Sequence, residues 1–125
     1  MVMSTVLVVE DSLTHRVLVS ELLKRIGLNV IFAGDGVEAL ERIKSNCPDL
    51  VILDIILPRM NGYEVCRQLK GNRKTHKVPV VMYSTKNEGW DFYWGSKQGA
   101  DAYVSKLCHP QELVDTVKQL LQTAA

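Results

Sequence analysis

Cysteine, proline and aromatic residues are all scarce in this chain. There are 3 cysteines, 4 prolines and 6% aromatics in 125 residues. Cys47, Cys66 and Cys108 are odd in number and widely spaced, with no C-x-x-C and no zinc-ligand pattern. That excludes a disulfide framework and suits reduced thiols in a cytoplasmic protein. No apolar run approaches the ~20 residues of a membrane-spanning helix. The N-terminus lacks a basic segment followed by an apolar one, so no signal peptide is expected. Charge is nearly balanced at +1, which gives no field for nucleic acid or an anionic membrane. Neither G-x-x-x-x-G-K-[ST] nor G-x-G-x-x-G occurs, so no nucleotide site is expected. Low-complexity tracts, linkers and fixed-period repeats are also missing.

What the chain has is apolar content, 46% hydrophobic against 23% charged, at a length that suits one domain. One type of unit recurs. Residues 5–9 form a β-branched apolar run. Residues 13–26 then place Leu13, Val17, Leu18, Leu22, Leu23 and Ile26 at helical spacing, with Gly27 as a stop. Strands are predicted over 28–33, 49–53, 78–83 and 102–105. Helices are predicted over 37–43, 63–69, 90–98 and 111–121, the last opened by Pro110. Five β-then-α units with continuous apolar strands predict an α/β fold, a doubly wound five-stranded parallel sheet of flavodoxin-like order 2-1-3-4-5. Ligands in that architecture bind beyond the carboxyl ends of the strands, at the switch point between the first and third.

The groups predicted at that edge are chemically coherent. The first strand ends in Glu10-Asp11, the third in Asp54, the fourth in Ser84 and the fifth in Lys106. Three converging carboxylates repel one another, and a hard divalent cation relieves this. A carboxylate beside such a cation can attack phosphorus, while a lysine and a hydroxyl meet the phosphoryl oxygens. Each residue alone has a plainer explanation: an Asp after a strand is usually a turn former or cap, and a strand-end Lys is usually solvated. Four strands delivering suitable groups to one edge favours a site.

These residues resemble the receiver domains of two-component response regulators along nearly the whole chain. The matching stretches are VLVVED at 6–11, DLVILDIILPRMNG at 49–62, VPVVMYST at 78–85 and GADAYVSK at 99–106. The resemblance implies that Asp54 is the phosphoacceptor. It implies that Glu10, Asp11, Asp54 and the main-chain carbonyl of Ile56 hold Mg²⁺ (or Mn²⁺), and that Lys106 binds the phosphoryl group. Ser84 and Tyr103 would act as switch residues, and Gly62 and Pro58 would shape the loop after the third strand. It also implies a histidine kinase as phosphodonor, a downstream protein target, and output through the surface of helix 4, strand 5 and helix 5. Such a domain is not an enzyme in its own right, although it assists its own phosphorylation and dephosphorylation. No output domain is expected within residues 1–125. A finer likeness runs through Ser84-Thr85-Lys86, Asp91, Trp94-Gly95 and residues 98–101. These look like the small chemotaxis-type regulators of type IV pilus, twitching or phototactic motility.

Three departures stand out. Leu107 replaces the usual proline after the lysine. A cis bond before Leu costs ~3 kcal/mol against ~1 before Pro, which leaves cis and trans both open here, and a trans bond would re-aim the lysine. Thr85 is bulkier than the usual residue after the hydroxyl and narrows access. Glu10 replaces a commoner Asp. These departures give weight to an alternative, a receiver-fold interaction module that works without phosphorylation. A phosphatase with an aspartyl nucleophile is disfavoured, because Ile56 stands where a second acid is needed. His15, His76 and His109 read as solvated surface imidazoles. Trp90, Phe92, Tyr93 and Trp94 crowd the fourth helix. Trp94 is expected in the buried stripe, with Trp90 and Phe92 forming a surface for a partner or for a second copy of the chain.

Overall fold

The structure, a computed structural model, describes residues 3–85 and 89–123, and for residues 89–92 the backbone alone. Five strands, β1 (Thr5–Val9), β2 (Asn29–Ala33), β3 (Leu50–Leu53), β4 (Val80–Ser84) and β5 (Ala102–Ser105), alternate with five helices. The helices are α1 (Leu13–Arg25), α2 (Gly36–Ser45), α3 (Gly62–Lys70), α4 (Gly89–Lys97) and α5 (Pro110–Thr123). All strand pairs are parallel, in the order β2-β1-β3-β4-β5. The predicted fold class is therefore the observed one.

Alternation along the strands divides the core into two layers. Leu7, Val9, Val51, Leu53, Val80 and Met82 face α2 and α3, packing on Ala39, Ile43, Val65, Cys66 and Leu69. Val6, Val8, Leu50, Ile52, Val81 and Val104 face α1 and α5, packing on Val19, Leu23, Leu113 and Val117. Each fully buried Leu or Val contributes ~1.5–3 kcal/mol.

Local chemistry sets the boundaries. Ser12, Asp35 and Asn61 cap α1, α2 and α3 by accepting from His15, Glu38 and Glu64 backbone N–H groups. Gly27 and Gly99 take φ of +84° and +96° after α1 and α4, where the chain must turn back. Proline has no N–H to give to a ladder, and β4 begins just after Pro79, later than predicted. It runs on to include Ser84.

Two helix faces differ from the sequence reading. In α1 the buried residues are Val19, Ser20 and Leu23, whereas Leu13, Val17 and Leu18 are 70%, 53% and 42% exposed. Apolar residues cover more than one face of this helix, and the sheet selects the face centred on Val19 and Leu23. In α4 the contact with the sheet is made at Gly95, where an added Cβ would meet Tyr103 Cδ2 at 3.3 Å and Met82 Cγ at 3.7 Å. Trp94, one residue and about 100° away, turns outward and is 50% exposed. Its expected place in a buried stripe is therefore corrected.

Candidate functional site

Parallel strands end on one edge, and β1 and β3, paired from Val6↔Leu50 to Val9↔Leu53, carry their acids out together. Glu10, Asp11 and Asp54 each place a carboxylate oxygen within 4.8 Å of the others. Glu10 is 3% exposed and Asp54 8%, whereas Asp11 is open to solvent. Backbone bonds fix the pair: Glu10 N donates to Ala33 O and Asp54 N to Val9 O. Asp54 Oδ1 accepts from Ile55 N at 2.7 Å.

The loop after β3 is tightly constrained. Gly62 N donates to Ile55 O at 2.8 Å, and a Cβ at Gly62 would run into the Asp54 backbone. Only glycine lets the start of α3 approach the acid so closely. Arg59, at φ +64°, reaches Asp35 at 3.0 Å and ties this loop to the one before α2. Ile56, two residues beyond Asp54, has a 59% exposed side chain.

Lys106 enters from β5. Its Nζ donates to Glu10 Oε2 at 2.5 Å and to Asp54 Oδ2 at 3.0 Å, with the side chain 5% exposed. Among the described residues every peptide bond is trans, Lys106–Leu107 included. The bond that the sequence left open is trans, and the lysine is nonetheless aimed at the acids. Its direction is set one residue earlier, where β5 stays paired to β4 through Lys106 N donating to Ser84 O at 2.9 Å. Leu107 itself is 71% exposed.

Burial raises the Glu10 pKa, opposed by the hydrogen bond from Lys106 and reinforced by the Asp54 charge. Burial lowers that of Lys106, but its hydrogen bonds to Glu10 and Asp54 outweigh this and raise it overall. The site thus holds one ammonium among three acids, and a hard divalent cation is the group that would relieve the remaining repulsion. The donor set is all oxygen, which fits Mg²⁺ or Mn²⁺.

Ser84 is fully buried at the end of β4, opposite Ser105. Tyr103 is half-buried on β5 beside Met82 and lies against Gly95 of α4. Thr85 is exposed. The side chains of Trp90 and Phe92 lie outside the described residues. Beside them on α4, Tyr93 and Trp94 are 56% and 50% exposed and stack edge to face, with ring centroids 5.7 Å apart.

His15 departs from the sequence reading. His76 and His109 are exposed, as expected. The His15 ring is instead at the site, with Nδ1 3.4 Å from Lys106 Nζ and 3.9 Å from Glu10 Oε1. The available signal was position: residue 15 sits in the first turn of the helix that follows Glu10-Asp11. Tyr83, read only as part of a strand end, lies with its ring centroid 5.7 Å from the same ammonium.

The chain is similar to known proteins in sequence and fold. Over 117 residues the chain is 38% identical to the alkaline phosphatase synthesis transcriptional regulatory protein PhoP of Bacillus subtilis, matching 94% of this chain and 48% of that one. The chain thus spans about half the length of that relative. It is 37% identical to protein PilG of Pseudomonas aeruginosa over 113 residues (90% of this chain, 84% of that one). It is 32% identical to protein PilH of the same organism over 119 residues (95% and 98%). Among solved structures, the chemotaxis response regulator CheY4 of Vibrio cholerae superposes with a TM-score of 0.88 at 29% identity, covering 95% of this chain and 99% of that one. The Mn²⁺-bound form of response regulator Rcp1 superposes at 0.81 and 27% identity, covering 94% and 91%. Residues 6–118 match the response regulator receiver domain family, and the chain belongs to it.

Proposed function

We propose that this receiver domain is a phosphorylation switch that takes a phosphoryl group from a histidine kinase onto Asp54. The observation that carries this reading is the acid trio within 4.8 Å, with Lys106 bonded to two of its members. Glu10, Asp11 and Asp54 would hold the cation, together with the Ile56 carbonyl if the family's role carries over. When bound, the cation supplies neutralisation of charge on the transferring phosphoryl oxygens. An Asp54 carboxylate oxygen forms a bond to phosphorus while the bond from phosphorus to the donor's histidine nitrogen breaks. Lys106 neutralises the phosphoryl oxygens, and Ser84 donates a hydrogen bond to one of them. The domain in this way assists its own phosphorylation and dephosphorylation.

A protein donor is supported by the surroundings of the acids. Leu13, Ile56 and Leu107, each within two residues of a site residue, are 70%, 59% and 71% exposed. Apolar side chains in solvent around a polar pocket suit a docking partner. Output is proposed through the face of α4, β5 and α5, where Tyr103 packs beside Gly95 and where Tyr93 and Trp94 are exposed. That face would meet a downstream protein target or a second copy of the chain. Likeness to PilG and PilH supports a place in pilus-based motility. A cytoplasmic setting with no membrane partner is part of this proposal; among the described residues no helix is long and apolar enough to cross a membrane. No nucleic-acid partner is proposed for this domain, because its +1 charge supplies no basic field.

The test is incubation with acetyl phosphate, with and without Mg²⁺, read by intact mass. A base-labile phosphoryl adduct should form only with Mg²⁺ and be lost in Asp54→Asn. Equal labelling of that variant would remove Asp54 from the role. No labelling of the wild type would leave the alternative, an interaction module that works without phosphorylation.

A further inference from the structure

Lys106 is surrounded by four groups of three different kinds. Glu10 and Asp54 accept from its Nζ at 2.5 and 3.0 Å, and His15 Nδ1 lies at 3.4 Å. The Tyr83 ring centroid is 5.7 Å away. An ammonium has three N–H donors and no acceptor. His15 Nδ1 is the one side-chain nitrogen of the four groups placed to accept from it. The Tyr83 ring face attracts the same cation through its quadrupole.

The two acids have other work. In the reaction proposed above they belong to the cation site, and Asp54 also forms the new bond to phosphorus. His15 and Tyr83 are not members of the proposed cation site, although His15 Nδ1 also stands 3.9 Å from Glu10 Oε1. Leu107, which follows the lysine, is 71% exposed and stands mostly in solvent.

We propose that His15 is a positioning residue for Lys106, a nitrogen acceptor that, with the Tyr83 ring beside it, keeps the ammonium directed into the site when the acids turn to other partners. His15 acts through Lys106, and the inference rests on the reading of Lys106 as the phosphoryl-binding lysine. Its expected signature is a lysine whose freedom depends on residue 15.

That freedom can be read apart from phosphorylation. Amine acylation of the full chain with a water-soluble acetylating ester, followed by peptide mass spectrometry, gives a rate for each lysine. Lys70 is the internal reference, because it is held elsewhere by Asp101 Oδ2 and Val78 O at 2.8 Å each. In His15→Leu the Lys106 rate should rise about 10-fold, the scale of losing one hydrogen bond to a charged group, with Lys70 unchanged. His15→Gln, whose amide oxygen can accept in place of Nδ1, should restore most of the protection. Saturating Mg²⁺ should widen the gap between wild type and His15→Leu. The maximal rate of labelling by acetyl phosphate should fall in His15→Leu and recover in His15→Gln.

An unchanged Lys106 rate in His15→Leu overturns the inference. So does an equal rise at Lys70, which would mean general loosening, or a failure of Gln to rescue. A wild-type chain that takes no phosphoryl group overturns the proposed function instead, and the metal-free acylation rates still decide whether His15 positions the lysine.

Discussion

Cys66 shows how one buried group makes stability depend on pH. It sits on α3, fully buried, with its Sγ 3.4 Å from Gln98 O. Burial pushes its pKa up to about 11 from an ordinary 9.0, the Lys70 charge opposing and the Asp101 charge adding. The folded chain therefore holds this proton more tightly than the unfolded chain. The resulting stability is fully present below pH 9.0 and is lost as pH rises towards about 11. Thermal melts across that window should fall more steeply for the wild type than for Cys66→Ala, although the variant starts lower because of the cavity. Parallel slopes would mean that another group controls alkaline unfolding; Lys106, also shifted upward, is the candidate. His15 makes a related point at this scale. A side chain that is unremarkable in the sequence acquires a role from a lysine 91 residues away.

Helices give the next prediction, because periodicity says that a face exists without saying which one the sheet will take. Leu13 and Val17 fit the helical spacing of α1, yet both stand in solvent. Leu13→Ser and Val17→Ser should each change stability by ~0.5 kcal/mol or less. Leu23→Ala, in the core of the same helix, should cost ~2–5 kcal/mol. Trp94→Ala belongs with the first group. It removes an edge-to-face contact with Tyr93 and about half a side chain's burial, a loss of ~1 kcal/mol, where a buried Trp would cost ~3–5. Chemical denaturation of the four variants checks the assignment. A low midpoint for Trp94→Ala would return the indole to the core.

Across the whole molecule, one sheet edge concentrates unlike demands. Three carboxylates and an ammonium sit together, Glu10, Asp54 and Lys106 largely out of water and Asp11 in it, so the acids carry a repulsion that a bound cation would relieve. Mg²⁺ at a hundredfold excess over its dissociation constant should stabilise the wild type by ~2.7 kcal/mol, seen as a higher melting temperature. Asp11→Ala should lose most of that increase. In chelator it should melt at or slightly above the wild type, because removing one exposed acid relieves repulsion worth ~1 kcal/mol or less. An Asp11→Ala protein with an undiminished Mg²⁺ response would put the cation elsewhere.

The sequence by itself determined the order of elements, the parallel sheet and the edge that carries Glu10, Asp11, Asp54, Ser84 and Lys106. These follow from short-range rules: apolar runs of strand length, helical spacing, capping residues, and the right-handed crossover that brings like strand ends together. Tertiary structure decided what depends on distance across the fold. It chose which face of α1 and α4 is buried, because Val19, Leu23 and Gly95 fit the sheet where Leu13 and Trp94 do not. It kept Lys106 on target despite Leu107, because the aim comes from the β4–β5 hydrogen bond at Ser84. It also brought His15 and Tyr83 to that lysine. Such contacts join residues far apart in sequence, and no local pattern encodes a separation of a few ångströms between them.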